Sequence, residues 1–147
     1  MTERALDISV RVNCALDHAF AVFTNRVDLW WPPSHRRFAG STLELDPVPG
    51  GRLVERAANG DEATIGDVLD SDPPHRLRLS WHLGKISAPT HVTVTFQADG
   101  TQTLVAVHHA EGDSAMGDQW PARAAMFDRG WTAVLAALAE FITQNEG

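Results

Sequence analysis

The sequence is poor in the features that mark secreted, membrane-spanning and nucleic-acid-binding proteins. It holds one cysteine, Cys14, in 147 residues, so no internal disulfide can form, which fits a reducing compartment. No apolar run approaches the ~20 residues that span a bilayer, and no signal peptide is recognisable at the N-terminus. Basic residues number 12 against 19 acidic ones, and this net charge of -7 argues against a nucleic-acid or anionic-membrane partner. We therefore expect a soluble cytoplasmic protein.

Catalytic and cofactor motifs are missing as well. The chain has no P-loop, no G-x-G-x-x-G, no G-x-S-x-G and no H-E-x-x-H. Seven histidines suggest a metal site, but His108 and His109 are neighbours on a predicted strand, so their side chains point to opposite faces. A site that joins His82 and His91 to one of them is the metal alternative. We favour solvent-facing strand histidines, and expect no metal and no cofactor.

The strongest pattern is a wide apolar face in the C-terminal segment from Gln119 to Thr143. Large apolar residues recur there at three- or four-residue spacing: Trp120, Phe127, Trp131, Val134, Leu135, Leu138, Phe141 and Ile142. This spacing predicts one helix, and at ~1.5 Å per residue it is ~37 Å long, enough to cross a small domain. Because so wide an apolar face must be buried, we expect a sheet to receive it.

The chain before this helix alternates with the period of strands. Leu6 to Val12 is a predicted half-buried strand, followed by two short helices that end at Pro32-Pro33. About six strands come next, with loops at Gly84 to Pro89 and Glu111 to Gly117, and successive hairpins indicate an antiparallel sheet. We predict a single α+β domain over residues 1–147, in which a curved antiparallel sheet wraps the C-terminal helix.

The aromatic composition is unusual, because the chain has five tryptophans and no tyrosine. They lie before the proline pair, on a predicted apolar sheet face and on the long helix: Trp30, Trp31, Trp81, Trp120 and Trp131. Large rings spread over a concave sheet and its helix either fill the core or line a cavity. The pattern leaves both readings open.

Four pieces of sequence, taken in order, resemble one family. They are Leu29 to His35, Pro49 to Leu53 followed by Ile65 to Val68, Pro74 to Trp81, and Gly130 to Leu138. With the element order, they resemble the START-like (SRPBCC) superfamily, which includes polyketide cyclases and birch-pollen-allergen-like proteins. Within it they resemble the bacterial branch of the family named for activators of the heat-shock-chaperone ATPase. The resemblance extends from about Ala5 to Ile142 and implies a helix-grip fold.

The resemblance also implies a cavity between the sheet and the long helix for a small, largely apolar molecule. The implied lining is Phe20, Phe23, Trp31, Trp81, Val94, Phe96, Val107, Phe127, Trp131 and Leu135. His109 lies where relatives often show a strand-end histidine, although alternation leaves open whether His108 or His109 faces inward. His109, His35 and Arg52 are the candidate polar groups that would orient a ligand.

We therefore predict first a protein that binds a hydrophobic small molecule. The enzymatic alternative is a cyclase- or hydrolase-like activity with His109 as general base, because a histidine near its unperturbed pKa of ~6.5 exchanges protons at neutral pH. The remaining alternative is a co-chaperone or other protein-interaction module, with Trp30 to Pro33 as an exposed docking surface and a chaperone as partner. We favour a different role for this stretch, that of capping the cavity mouth. The sequence leaves open whether the protein is a monomer or a homodimer.

Overall fold

The structure, a computed structural model, describes residues 4–82, 89–112 and 119–145. The predicted loops at Gly84 to Pro89 and Glu111 to Gly117 fall mostly outside these residues. Within them the chain forms a strand, two short helices, six further strands and a long helix, as predicted. Their bounds are β1 Ala5–Val12, α1 Leu16–Asn25, α2 Val27–Trp30, β2 Thr42–Leu45, β3 Arg52–Arg56, β4 Glu62–Asp72, β5 Arg76–Trp81, β6 Thr90–Asp99, β7 Gln102–Ala110 and α3 Trp120–Asn145. A single 3₁₀ turn, Pro33–His35, follows α2.

The seven strands form one antiparallel sheet in the order β1-β7-β6-β5-β4-β3-β2. The first strand joins the last, with Ala5 opposite Ala110 and Val12 opposite Thr103. The register shifts between Leu53 and Val54 on β3 and between Val68 and Asp70 on β4. Such irregularities bend a strand and increase its twist, so the sheet curls into a half-barrel. The predicted α+β helix-grip fold is confirmed.

Gly66 explains one of the sequence pieces that carried the resemblance. It lies on β4, where a Cβ atom would stand 2.2 Å from the carbonyl oxygen of Ser80 on β5. No side chain fits at that distance, so glycine allows the close approach of the two strands at this point. The approach positions the end of β5, where Trp81 lies.

The long helix α3 fills the concave side of the half-barrel and packs against β1. Its predicted apolar face is buried, except that Phe141 is only partly covered. The inward-facing side chains of β5, β6 and β7 complete the core: Leu77, Leu79, Val92, Val94, Val105 and Val107 are each at most 2 % exposed. Within the described residues, no helix is long and apolar enough to span a membrane.

Candidate ligand-binding cavity

A cavity of about 510 Å³ lies between the segment after α2, the end of β5 and the middle of α3. Its lining is largely aromatic and apolar, with two polar side chains. The lining residues are Trp31, His35, Trp81, Met126, Phe127, Arg129, Gly130, Trp131 and Val134. Pockets for small molecules usually measure ~300–1,000 Å³, so this cavity has the size and character of a small-molecule site.

Three tryptophans from different parts of the chain form its wall. The ring centroids of Trp31 and Trp81 are 6.3 Å apart, those of Trp31 and Trp131 6.1 Å, and those of Trp81 and Trp131 5.1 Å. The ring planes are inclined by 35°, 81° and 46°, the tilted and edge-on arrangements that aromatic pairs prefer. Because each ring supports the other two, the wall is preformed.

Trp31 is positioned by hydrogen bonds rather than by a regular element. Its indole N–H donates to the carbonyl oxygen of His35 at 3.2 Å. Its own carbonyl oxygen accepts from the Arg36 guanidinium, which also donates to the Asp28 side chain, the Asp28 carbonyl and the Ser41 carbonyl. One arginine fork thus ties the end of α2 to the loop before β2 and sets the place of Trp31.

A buried carboxylate anchors the loop that follows. Glu55 on β3 accepts hydrogen bonds from the backbone amides of Arg37 and Phe38, at 3.0 and 2.8 Å, and from the Ser41 hydroxyl at 2.7 Å. Burial alone would raise the pKa of Glu55. The three hydrogen bonds and the Arg36 charge outweigh it and hold the pKa below its ordinary value. Glu55 is therefore ionised at neutral pH and fixes the loop as an anion.

His109 lies behind the tryptophan wall, fully buried, and faces inward. Its ring stacks on Phe127 with centroids 4.1 Å apart. Its Nδ1 accepts a hydrogen bond from the Trp131 indole at 2.9 Å, and its Nε2 lies 2.8 Å from the Thr90 hydroxyl. Because an indole N–H only donates, the neutral ring carries its proton on Nε2 and donates to Thr90. Thr90 in turn donates to the Trp81 carbonyl at 3.3 Å.

This network corrects the predicted role of His109 as a general base. Burial, helped by the neighbouring His108, lowers the pKa of His109 to about 3. Both ring nitrogens are engaged, and the ring is not among the cavity's lining residues. The structure also shows that His109, and not His108, faces inward. His108 points outward, and its Nδ1 lies 2.8 Å from the carboxylate of Asp7. His109 holds Trp131 in place instead of presenting a free nitrogen to a ligand.

The other predicted site residues separate into three groups: residues that line the cavity, residues of the packed core, and Arg52, which lies elsewhere. Trp31, His35, Trp81, Phe127 and Trp131 line the cavity. A second group belongs to the packed hydrophobic core, outside the lining: Phe20, Phe23, Val94, Phe96, Val107 and Leu135.

Two ring contacts account for the phenylalanines of the second group, and an ion pair places Arg52 elsewhere. Phe20 and Phe23 pack on Phe96 with ring centroids 5.2 and 5.6 Å away, so these rings fill the space that the prediction left open. Arg52 contacts Glu62 at 3.4 Å and lines a different groove on β2 and β3. It therefore does not reach this cavity.

The sequence reasoning missed the four lining residues Met126, Arg129, Gly130 and Val134 as members of the site. All four lie on α3 beside Phe127 and Trp131 at helical spacing, so the flank of the apolar face was the available signal. Gly130 was a second signal, because an isolated glycine inside a long helix usually has a packing or functional reason.

The alternative of a docking surface at Trp30 to Pro33 is wrong in treating the two tryptophans as exposed. Trp30 and Trp31 are only 3 % and 6 % exposed, so the two rings belong to the interior. The Trp30 indole donates to the Val22 carbonyl at 3.1 Å, which ties α2 to α1. The large apolar side chain that does reach the surface of α2 is Leu29, at 65 % exposure.

A second polar cluster, Ser80, His82 and Asp67, does not have the geometry of a catalytic triad. The Ser80 hydroxyl and the Asp67 carboxylate approach the same imidazole nitrogen, Nε2 of His82, at 3.3 and 2.9 Å. A nucleophile–base relay needs the acid and the hydroxyl on different nitrogens. In the ranges that the structure describes, no three side chains of metal-ligating type come together either.

The comparisons with known proteins agree with this architecture. The family model described as "Activator of Hsp90 ATPase homolog 1-like protein" matches residues 13–143. The chain belongs to this family. The family resemblance predicted from the sequence is thus confirmed. A search of curated proteins finds no match for the chain.

Solved structures share the fold of this family member over most of its length. The Mesorhizobium loti protein MLL2253 is 14 % identical with a TM-score of 0.71, and the alignment covers 98 % of this chain and 100 % of that one. CalU16 from Micromonospora echinospora is 24 % identical with a TM-score of 0.69, covering 99 % and 78 %. Txn09, described as an anthrahydroquino-gamma-pyrone synthase, is 31 % identical with a TM-score of 0.54, covering 80 % and 86 %.

Proposed function

We propose that this protein binds a small, flat, largely apolar molecule in the cavity between Trp31, Trp81 and α3. The observation that carries the proposal is the preformed tryptophan wall beside about 510 Å³ of space. Tryptophan side chains are large flat rings, and planar ligands stack on such rings. A few polar groups at one end of an otherwise apolar site are the usual means of orienting a ligand.

The similarity to Txn09 supports an aromatic ligand. That protein, 31 % identical over 80 % of this chain, is described as a synthase of an anthrahydroquinone-pyrone, which is a fused-ring compound. A wall of three indoles suits a fused-ring molecule better than a flexible alkyl chain, because stacking needs a flat partner.

Replacement of Trp81 by leucine tests the proposal. Isothermal titration calorimetry would compare wild type and Trp81→Leu with 2-naphthamide, a neutral two-ring probe. We expect the variant to bind at least about tenfold more weakly, because loss of an aromatic contact and its buried area is worth on the order of 1.5 kcal/mol. Trp120→Leu is the matched control, since Trp120 is a buried indole of the same domain outside the lining.

Each outcome has a defined meaning. Near-UV circular dichroism would first establish that Trp81→Leu keeps its tertiary structure. Equal affinities of wild type and Trp81→Leu, or a loss in Trp120→Leu as large as that in Trp81→Leu, would refute the cavity as the binding site. Failure of wild type to bind the probe at millimolar concentration would count against the proposed function itself.

Ring closure of an aromatic precursor is the second candidate function, and the similarity to Txn09 is the observation that favours it. His109 is unsuited to accept a proton, as shown above. His35 is the lining residue with an exposed imidazole, and it lies at the cavity mouth beside Ser34, whose hydroxyl is 2.9 Å from Nδ1. We assign it the role of general base in this alternative.

The ring-closure alternative makes a clear distinction between two histidines. His35→Ala should abolish turnover of a poly-β-ketone substrate, whereas His109→Gln should reduce it only as far as it disturbs folding. Product formation followed by liquid chromatography would measure both. Unchanged turnover in His35→Ala would remove this candidate. Covalent hydrolysis is not supported, because no serine, threonine or cysteine is among the described lining residues.

A further inference from the structure

The mouth of the cavity carries positive charge in a protein that is acidic as a whole. The chain has 19 acidic and 12 basic residues. Among the described residues that line the cavity, however, Arg129 is a cation, His35 is a polar imidazole, and none is acidic. A local reversal of sign at the entrance of an apolar site indicates a polar group on the ligand that the site must match.

Arg129 and His35 approach the same part of the mouth from two elements. His35 ends the 3₁₀ turn after α2, and Arg129 precedes Gly130 on α3. A Cβ atom at Gly130 would stand 3.9 Å from Cδ2 of His35, so the imidazole rests against this turn of α3. Because Arg129 directly precedes Gly130, the two polar lining residues belong to the same region of the cavity wall.

Arg129 has no acidic partner among the residues that the structure describes. Arg11, Arg56 and Arg76 each contact a carboxylate, whereas Arg129 forms no ion pair or hydrogen bond with the described part of the chain. Glu55 lines the smaller neighbouring cavity, but its carboxylate is engaged by the loop before β2. The guanidinium of Arg129 is thus available to an acceptor from outside the protein.

We infer that the ligand is an aromatic anion, whose rings stack on the tryptophan wall and whose carboxylate or phenolate oxygen is bound by Arg129 at the mouth, next to His35. The inference rests on the proposed function and adds the ligand's charge and orientation. A guanidinium binds such oxygens through paired, charge-assisted hydrogen bonds. The apolar end of the ligand then enters first and the anionic end stays near solvent, so no charge is buried without a partner.

A matched pair of probes tests the charge separately from the shape. The two are 2-naphthoate and 2-naphthamide, which share size and outline and differ in charge at neutral pH. Isothermal titration calorimetry of wild type should give about fivefold tighter binding of the naphthoate, the effect of an exposed ion pair. Arg129→Gln should remove this preference by weakening naphthoate binding more than naphthamide binding, while Arg129→Lys should keep part of it.

Arg123→Gln is the control, because it removes the same charge from the same helix at a residue outside the lining. It should keep the preference for the naphthoate. Raising the salt from about 50 mM to about 500 mM should shrink the wild-type preference, since screening weakens an exposed charge pair. Thermal unfolding would establish that Arg129→Gln, an exposed substitution, is folded.

The outcomes separate this inference from the proposed function. If wild type binds both probes equally, or the naphthamide more tightly, while Trp81→Leu weakens both, the cavity binds ligands but the anionic class is wrong. A preference that persists in Arg129→Gln, or one that disappears equally in Arg123→Gln, would also overturn it. If wild type binds neither probe at millimolar concentration, the proposed function fails and the inference fails with it.

Discussion

The buried imidazole of His109 should make the stability of the protein depend on pH in a predictable window. In the unfolded chain a histidine has a pKa of ~6.5, whereas in the folded protein the pKa of His109 is lowered to about 3. Between these values the unfolded chain binds a proton that the folded protein does not. The free energy of unfolding therefore has its highest value, as far as His109 is concerned, above about pH 6.5, and it decreases as the pH drops towards 3.

The magnitude follows from the width of this window. One titrating group changes the free energy of unfolding by ~1.4 kcal/mol per pH unit. From about pH 6.5 to about pH 4.5 the loss is ~2.7 kcal/mol, and over the whole window it is on the order of 4–5 kcal/mol. A typical domain has only ~5–15 kcal/mol in total. The physical cause is the burial of the ring, with a further contribution from the neighbouring His108. Protonation would also place a donor on Nδ1 opposite the indole N–H of Trp131.

Urea unfolding of wild type and His109→Gln between about pH 7.5 and about pH 4.5 measures the effect. Glutamine keeps an acceptor and a donor but does not titrate in this range. We expect the variant to be less stable at neutral pH and to lose less stability on acidification, so that the two curves converge. His108→Gln, an exposed histidine on the same strand, should keep most of the wild-type slope. Parallel curves for wild type and His109→Gln would refute the reasoning.

A second readout does not depend on how well the variant folds. Nuclear magnetic resonance of the wild-type imidazole should show the Nε2-protonated tautomer of His109 at neutral pH. Its signals should remain unshifted between about pH 7.5 and about pH 4.5, because the pKa of His109 is lowered to about 3. A His109 titration midpoint near that of a free histidine would show that the ring is solvated, and the stability argument would then be wrong.

Two further substitutions probe the helix and the loop around the cavity. Gly130→Ala should raise the free energy of unfolding by up to ~1 kcal/mol, because alanine has the higher helix propensity. The new methyl group would stand 3.9 Å from His35, which is no clash. The same substitution should weaken naphthoate binding, because it narrows the mouth of the cavity. A lower melting temperature would contradict this. Glu55→Gln should lower the free energy of unfolding by ~1–3 kcal/mol because an amide N–H₂ would face backbone donors, whereas Glu44→Gln at an exposed carboxylate should change it far less in urea titrations. Equal losses would contradict the assigned role.

The fold could be predicted from the sequence because its apolar residues recur regularly, at helical spacing on α3 and at every second residue on the strands. The apolar face of α3 and the alternation on β5, from Leu77 to Trp81, depend only on local geometry, and both were predicted correctly. The helix itself begins one residue later and ends two residues later than the predicted Gln119 to Thr143, which is within the usual fraying of helix ends.

The site was only partly readable, for reasons that lie in tertiary structure. Periodicity shows which face of a strand is inward but not how far along the sheet a cavity extends, so Phe20 and Phe96 were predicted to line space that they fill. The place of His109 depends on its pairing with Val92 across β6 and β7 and on the rotation of α3, which presents Trp131 to it. Neither is encoded in local spacing. By pattern alone, Arg129 is an exposed helix residue. Its place in the lining of the cavity depends on how α3 packs against the other elements.

The internal hydrogen bonds of the tryptophans have a consequence for hydration. The indole N–H of Trp31 is used by His35 and that of Trp131 by His109, so these two rings present carbon surface to the cavity and little to which water can bond. Water in such a space is poorly coordinated, and its return to bulk solvent regains hydrogen bonds. Filling an apolar pocket of this kind is often driven by enthalpy near 25 °C, with a negative heat-capacity change. The interior would then contribute heat of binding and tolerance of ring shape, and the polar mouth would contribute the choice between ligands.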